Sequence, residues 1–174
     1  MSTTQTPGNE LAVTNLSALM GCLDSQSPAL EIYRRMQMEN FGPILDTAVE
    51  TCGVPDEARA KELLDAFLQW LAVIPQASEG NGLQMFKEID RIWHAMVLHT
   101  RFYRRFCDTY FACFIDHDPA ETKRERVAKR ASADYTLALL RATYGQDMNR
   151  ELFTLENVVD CCWGRCNPDN LISS

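Results

Sequence analysis

Residues 90–119 read DRIWHAMVLHTRFYRRFCDTYFACFIDHDP, and this stretch decides the fold class of the chain. Apolar side chains recur in it at intervals of three and four residues, as from Ile92 to Met96. This period is typical of an amphipathic α-helix, here with an apolar face over about half of its circumference. We therefore predict one long central helix over residues 83–114, against which the other segments pack.

Turn and capping residues divide the rest of the chain into further helices. Ser27 before Pro28 has the pattern of an N-cap followed by a first-turn proline. The helices predicted from such signals cover residues 28–41, 44–52, 57–74, 83–114, 120–143 and 154–164. No segment alternates apolar and polar residues between turn signals, so we expect no strands. The prediction is an all-α, single-domain helical bundle of about five to seven helices over residues 27–174, preceded by a partly flexible tail, 1–26.

Composition limits the classes of function. Of the 174 residues, 46% are hydrophobic, which is enough for one domain with a sizeable core. The formal net charge of −7 argues against a general affinity for nucleic acid or anionic membranes. No apolar run approaches the roughly 18 residues that span a bilayer, and residues 1–27 lack the pattern of a secretory signal. We therefore expect a cytoplasmic protein that binds neither nucleic acid nor membranes.

Asp90 and His94 form the first candidate site, because a helix places residues four apart on the same face. A carboxylate and an imidazole at this spacing can supply two ligands to a zinc or iron ion. They can also form a general base in which the carboxylate orients the histidine. His117, just beyond the predicted helix end, can fold back as a third member. The simplest alternative is an exposed helix pair that contributes roughly a few tenths of a kcal/mol.

A second candidate site is the C-terminal cluster Cys161-Cys162-Trp-Gly-Arg-Cys166. Cys162 and Cys166 converge if a helix continues through them, but a thiolate metal site needs three or four ligands. The spacing also lacks the two-residue CxxC signature of metal and redox motifs. Three interpretations stay open: burial as small hydrophobic residues, a thiolate metal site, and a redox or disulfide role.

Residues 90–119 also carry a pattern of an acid, Trp-His, Thr, Tyr, Phe-Cys and His-x-Pro. In this chain its members are Asp90, Trp93-His94, Thr100, Tyr103, Phe106-Cys107 and His117-Asp118-Pro119. The pattern resembles that of bacterial members of the glycine-rich-domain-containing-protein-like family. The family often has a further histidine before His-x-Pro, and this chain departs from it with Asp116. The resemblance implies a small helical domain with no established activity, in which Asp90, His94 and His117 act together.

The leading hypothesis is a metal-binding helical protein. Asp90, His94 and His117 would hold zinc or iron and leave a position open for water or a small-molecule substrate, with Trp93 and Thr100 supporting them. No P-loop, dinucleotide-binding, zincin or nucleophile-elbow motif occurs, so no reaction is assigned.

The alternative is a non-catalytic protein–protein interaction module. Residues 101–130 hold eight Lys or Arg against five Asp or Glu, and this basic helical face could dock an acidic protein. A solvated surface with interleaved charges is the simpler interpretation of the same residues. A homodimer through one of the helical faces also stays open, as does a thiol sensor built on Cys161, Cys162 and Cys166.

Overall fold

A computed structural model describes residues 27–77, 82–119, 122 and 132–167, with the backbone alone for 118–119 and 160–167. Its helices are α1 (Pro28–Met36), α2 (Gly42–Glu50), α3 (Glu57–Val73), α4 (Lys87–Leu98), α5 (Thr100–Phe111) and α6 (Ala133–Tyr144). Its strands are β1 (Leu83–Phe86), β2 (Phe114–Pro119) and β3 (Val158–Asn167), and short 3-10 turns cover Ile74–Gln76 and Leu155–Asn157. No helix in this part of the chain combines the length and apolar character that crossing a membrane requires. The prediction of a mostly helical chain is confirmed, whereas the strands correct the stricter all-α prediction.

Local signals in the sequence set several helix ends. Pro28 is the first residue of α1, and Asp56 caps α3 by accepting a hydrogen bond from the Arg59 amide at 2.8 Å. Gly145 follows α6 with a φ of 56°, a conformation that favours glycine. The predicted tail 1–26 and the first part of the predicted helix over 120–143 lie outside the described residues.

The prediction of one continuous central helix over residues 83–114 is wrong. β1 occupies its first four residues, and His99 interrupts the remainder with a φ of −88° and a ψ of 58°. The interruption has a tertiary contact beside it, since His99 Nε2 lies 2.7 Å from Thr47 Oγ1 of α2. The side chain of His99 therefore pairs with a distant helix, and not with Tyr103 one turn along its own. The result is two helices, α4 and α5, that can point in different directions.

β3 is the central strand of an antiparallel sheet with the order β1-β3-β2. Gly164 of β3 lies opposite Leu83 of β1 and opposite His117 of β2. The prediction of a final helix over 154–164 is therefore wrong, as is the expectation of no strands. Val158 and Val159 favour a strand, but the backbone partners of β3 come from distant segments that no local pattern reveals.

The core is built around α3, which packs against α1, α2, α4 and α6. Phe67 and Trp70 of α3 are fully buried together with Trp93 of α4. The ring centroid of Trp93 lies 5.1 Å from that of Trp70 and 6.0 Å from that of Phe67. Aromatic pairs of this kind add about 0.5–1.5 kcal/mol each to the gain from burial. Burial of Trp93 fixes the rotation of α4 about its axis, and with it the direction of the adjacent His94.

Candidate metal centre

Asp90 and His94 lie on one face of α4, as their spacing predicts. Asp90 Oδ2 is 3.6 Å from His94 Nε2. The Asp90 side chain is largely buried, with 13% of its surface exposed, whereas 54% of the His94 side chain is exposed. One member of the pair therefore faces the interior while the other borders solvent.

His117 joins this pair from β2. Its Nε2 atom lies 3.0 Å from Asp90 Oδ1, and 20% of its side chain is exposed. The two imidazole rings are neighbours, with centroids 4.9 Å apart. One ligand atom from each of Asp90, His94 and His117 lies within 4.8 Å of the other two. The structure thus brings together the three residues that the sequence singled out.

Buried residues support the inner side of this group. The Trp93 and His117 rings meet edge to face, with centroids 4.5 Å apart. Trp93 Nε1 donates a hydrogen bond to the Tyr103 hydroxyl at 2.9 Å, and that hydroxyl donates to the Ile115 carbonyl at 2.6 Å. Trp93 therefore has the contact with His117 that its predicted supporting role requires, and the role itself stays a prediction. Thr100, predicted to share this role, is exposed at the start of α5.

The three side chains are of the chemical types that bind a divalent transition metal. Two ligand atoms bound at about 2.0–2.1 Å to one tetrahedral zinc ion lie roughly 3.3 Å apart. The distances of 3.0 and 3.6 Å are measured to different oxygens of the Asp90 carboxylate, and one ligand atom from each residue lies within 4.8 Å of the other two. The side chains would therefore have to close slightly around a bound zinc ion. Two histidines and one carboxylate also form the ligand set of non-haem iron(II) sites that keep open positions.

The same contacts allow an interpretation without metal. A carboxylate between two imidazoles can orient them by hydrogen bonding and act with them in proton transfer. It can also serve stability alone, because a largely buried carboxylate needs polar partners. The hydrogen bond between Asp90 and His117 is compatible with either role.

The weaker cysteine hypothesis loses its geometric basis. Cys161, Cys162 and Cys166 belong to β3, and their side chains lie outside the described residues. Convergence of Cys162 and Cys166 required a helix, whereas four residues of extended strand separate their Cα atoms by roughly 13 Å. Elsewhere, Cys52 and Cys107 are free and Cys113 is disulfide-bonded, with a partner outside the described side chains.

The Cys107 thiol is expected to have low nucleophilic reactivity. Burial raises its pKa to about 11, so little reactive thiolate forms near neutral pH. Burial is also the largest cause of the raised pKa values of Tyr33 and Tyr144. All three groups therefore stay protonated to a higher pH in the folded chain than in the unfolded chain.

The free energy of unfolding is therefore expected to fall as the pH rises from 8 to 11. Between the ordinary thiol pKa of 9.0 and the folded value of about 11, the unfolded state releases the Cys107 proton while the folded state keeps it. This difference favours unfolding, and two units correspond to about 2–3 kcal/mol. Urea unfolding followed by circular dichroism at both pH values measures the loss. In Cys107→Ala the loss of unfolding free energy between the two pH values should be smaller by about 2–3 kcal/mol. An unchanged loss would show that the raised pKa of Cys107 is not its cause.

The predicted basic face is described only in part. Arg101, Arg104 and Arg105 of α5 are exposed, and Arg105 Nη2 pairs with Glu39 Oε2 at 3.1 Å. The basic residues over 123–130 lie outside the described residues. Docking of an acidic protein, a homodimer and a cytoplasmic location accordingly stay predictions.

Sequence reasoning missed the role of Tyr103. Tyr103 was identified only as a member of the pattern over residues 90–119, with no supporting role for its hydroxyl. The signal that could have found the role is a tyrosine ten residues after a tryptophan on the apolar side of an amphipathic segment. A buried tyrosine hydroxyl and a buried indole N–H both need hydrogen-bonding partners.

Comparison with protein families finds a match over residues 36–153, more than half of the chain, to the family described as UCP032817-like. The matched segment contains Asp90, His94 and His117 together with Tyr103, and it ends before β3 begins. No curated protein and no solved structure matches the chain. The family description names no reaction or ligand, and the resemblance to the glycine-rich-domain-containing-protein-like family stays a prediction.

Proposed function

The chain belongs to the UCP032817-like family, and we propose that it binds one zinc or iron(II) ion through Asp90, His94 and His117. The observation that carries the proposal is the approach of three potential ligand atoms, from a helix and a strand, to within 4.8 Å of one another. Asp90 and His117 lie 27 residues apart in sequence, so helical spacing alone does not explain the arrangement. The role proposed is binding, with no reaction assigned.

The burial of the three side chains supports a site with open coordination. Asp90 and His117 are mostly covered, while His94 is about half exposed. Three protein ligands leave at least one position on the metal, which water or a small molecule fills. In catalytic zinc sites the metal makes its bound water more acidic, and in iron(II) sites the open positions accept exogenous ligands. The protein would hold the three ligands in place, and the buried Trp93 ring would exclude water from the inner side of the site.

Metal content tests the proposal. We expect about one zinc or iron per wild-type chain by mass spectrometry, after purification without a metal-binding tag. His94→Gln should lose most of the metal, because removal of one of three protein ligands strongly weakens a site of this size. Since His94 is exposed, its replacement should leave the fold intact.

His99→Gln is the matched control, because it removes the remaining histidine of the chain while the glutamine amide can keep a hydrogen bond to Thr47 beside the break between α4 and α5. This variant should keep the wild-type metal content. Titration of metal-free protein with zinc and with cobalt(II) distinguishes a site that lost its metal during purification from a chain that has no metal site. Failure of the wild type to bind any of these ions, or equal binding by His94→Gln, would refute the proposal.

A further inference from the structure

The Tyr103 hydroxyl lies where three elements meet. Tyr103 belongs to α5 and is 2% exposed, and its hydroxyl oxygen lies 2.9 Å from Trp93 Nε1 of α4. The same hydroxyl donates a hydrogen bond of 2.6 Å to the Ile115 carbonyl of β2. Burial raises the pKa of this hydroxyl well above its ordinary value, so it retains the proton that it donates. A single buried oxygen atom thereby links α4 to β2.

This link joins the two elements that carry the candidate ligands. Trp93 is adjacent to His94 in the chain, and Ile115 lies two residues before His117. Two residues along a strand return to the same face, so Ile115 and His117 lie on the same side of β2. The Trp93 ring in turn contacts the His117 ring. Within α4 the helix itself sets the Asp90–His94 spacing, whereas the distance of His117 from both depends on how β2 is held.

We propose that Tyr103 is a positioning residue for the metal site, holding β2 against α4 so that His117 stays within reach of Asp90 and His94. The inference rests on the proposed function and extends it to a residue that touches none of the ligand atoms. Tyr103 acts through Trp93 and through the Ile115 backbone. Groups that hydrogen-bond directly to metal ligands commonly change metal affinity by about 10–100-fold when they are removed, and a smaller effect is expected for Tyr103, which is one contact further away.

Tyr103→Phe tests the inference, because it removes one oxygen atom and keeps the ring. The measurement is the dissociation constant for cobalt(II) and zinc on metal-free full-length protein, together with the visible absorption spectrum of the cobalt form. We expect up to about 10-fold weaker binding, the lower end of the range for direct partners of the ligands, and an altered spectrum, since a displaced His117 changes the coordination geometry. Addition of excess cobalt should restore occupancy without restoring the wild-type spectrum.

Tyr144→Phe is the matched control. The Tyr144 hydroxyl is also buried and also donates to a backbone carbonyl, that of Gln69 at 3.0 Å, but it contacts none of the three ligands. Both variants should unfold more readily, whereas only Tyr103→Phe should change metal affinity and the cobalt spectrum. A role limited to stability predicts unchanged affinity in both.

The outcomes separate the inference from the proposed function. If wild-type protein binds metal and Tyr103→Phe binds it equally, the positioning role is wrong and the metal site stands. If wild-type protein binds no metal, both are wrong. If Tyr103→Phe does not fold, Trp93→Phe breaks the same link from the other side while keeping an aromatic ring beside His117. Unchanged affinity and spectrum in that variant would overturn the inference.

Discussion

Replacement of Trp93 by alanine is expected to lower the free energy of unfolding by about 3–5 kcal/mol. The side chain is completely buried, and its ring centroid lies 5.1 Å from that of Trp70 and 4.5 Å from that of His117. The substitution removes these contacts, leaves a cavity between α3 and α4, and deprives the Tyr103 hydroxyl of its donor. Urea unfolding followed by circular dichroism measures the change.

Leu98→Ala provides the control on the same helix. Leu98 ends α4 and is 61% exposed, so its truncation should change the unfolding free energy by no more than about 0.5 kcal/mol. A loss below about 1 kcal/mol in Trp93→Ala would show that Trp93 does not anchor α4 in the core.

Addition of zinc to metal-free protein is expected to raise the free energy of unfolding by about 2.7 kcal/mol at a free concentration 100 times the dissociation constant. The gain arises because the folded chain holds Asp90, His94 and His117 together, whereas the unfolded chain does not. Asp90→Asn should remove most of it, since an amide replaces the carboxylate that faces both imidazoles. Thermal unfolding with and without chelator measures the gain in each protein.

Two comparisons make this expectation specific. His99→Gln should keep the stabilisation by zinc, because the wild-type His99 imidazole pairs with Thr47 and not with the candidate ligands. A similar gain in Asp90→Asn would place the stabilising metal elsewhere in the chain. Equal stability of the wild type with and without zinc would contradict a site formed by folding.

Part of the candidate site was predictable because it is local. Asp90 and His94 share a face of any helix that includes both, and their 3.6 Å separation needs no other part of the protein. His117 could be proposed as a third member because a short connection allows the chain to fold back. Its approach to 3.0 Å from Asp90 depends on the break at His99, the direction of α5 and the attachment of β2 to β3. None of these three features has a periodic signal in the sequence.

The sequence by itself determined the mostly helical character, the start of α1 at Pro28, the capping of α3 by Asp56 and the end of α6 before Gly145. These features depend on side chains and backbone within a few residues of one another, where periodicity and capping chemistry act. Tertiary structure alone decided that β3 is a strand, that His99 ends α4, and that the Tyr103 hydroxyl joins α4 to β2. Each of these depends on hydrogen bonds to residues that are distant in sequence or lie on another element, and such partners exist only once the chain has folded.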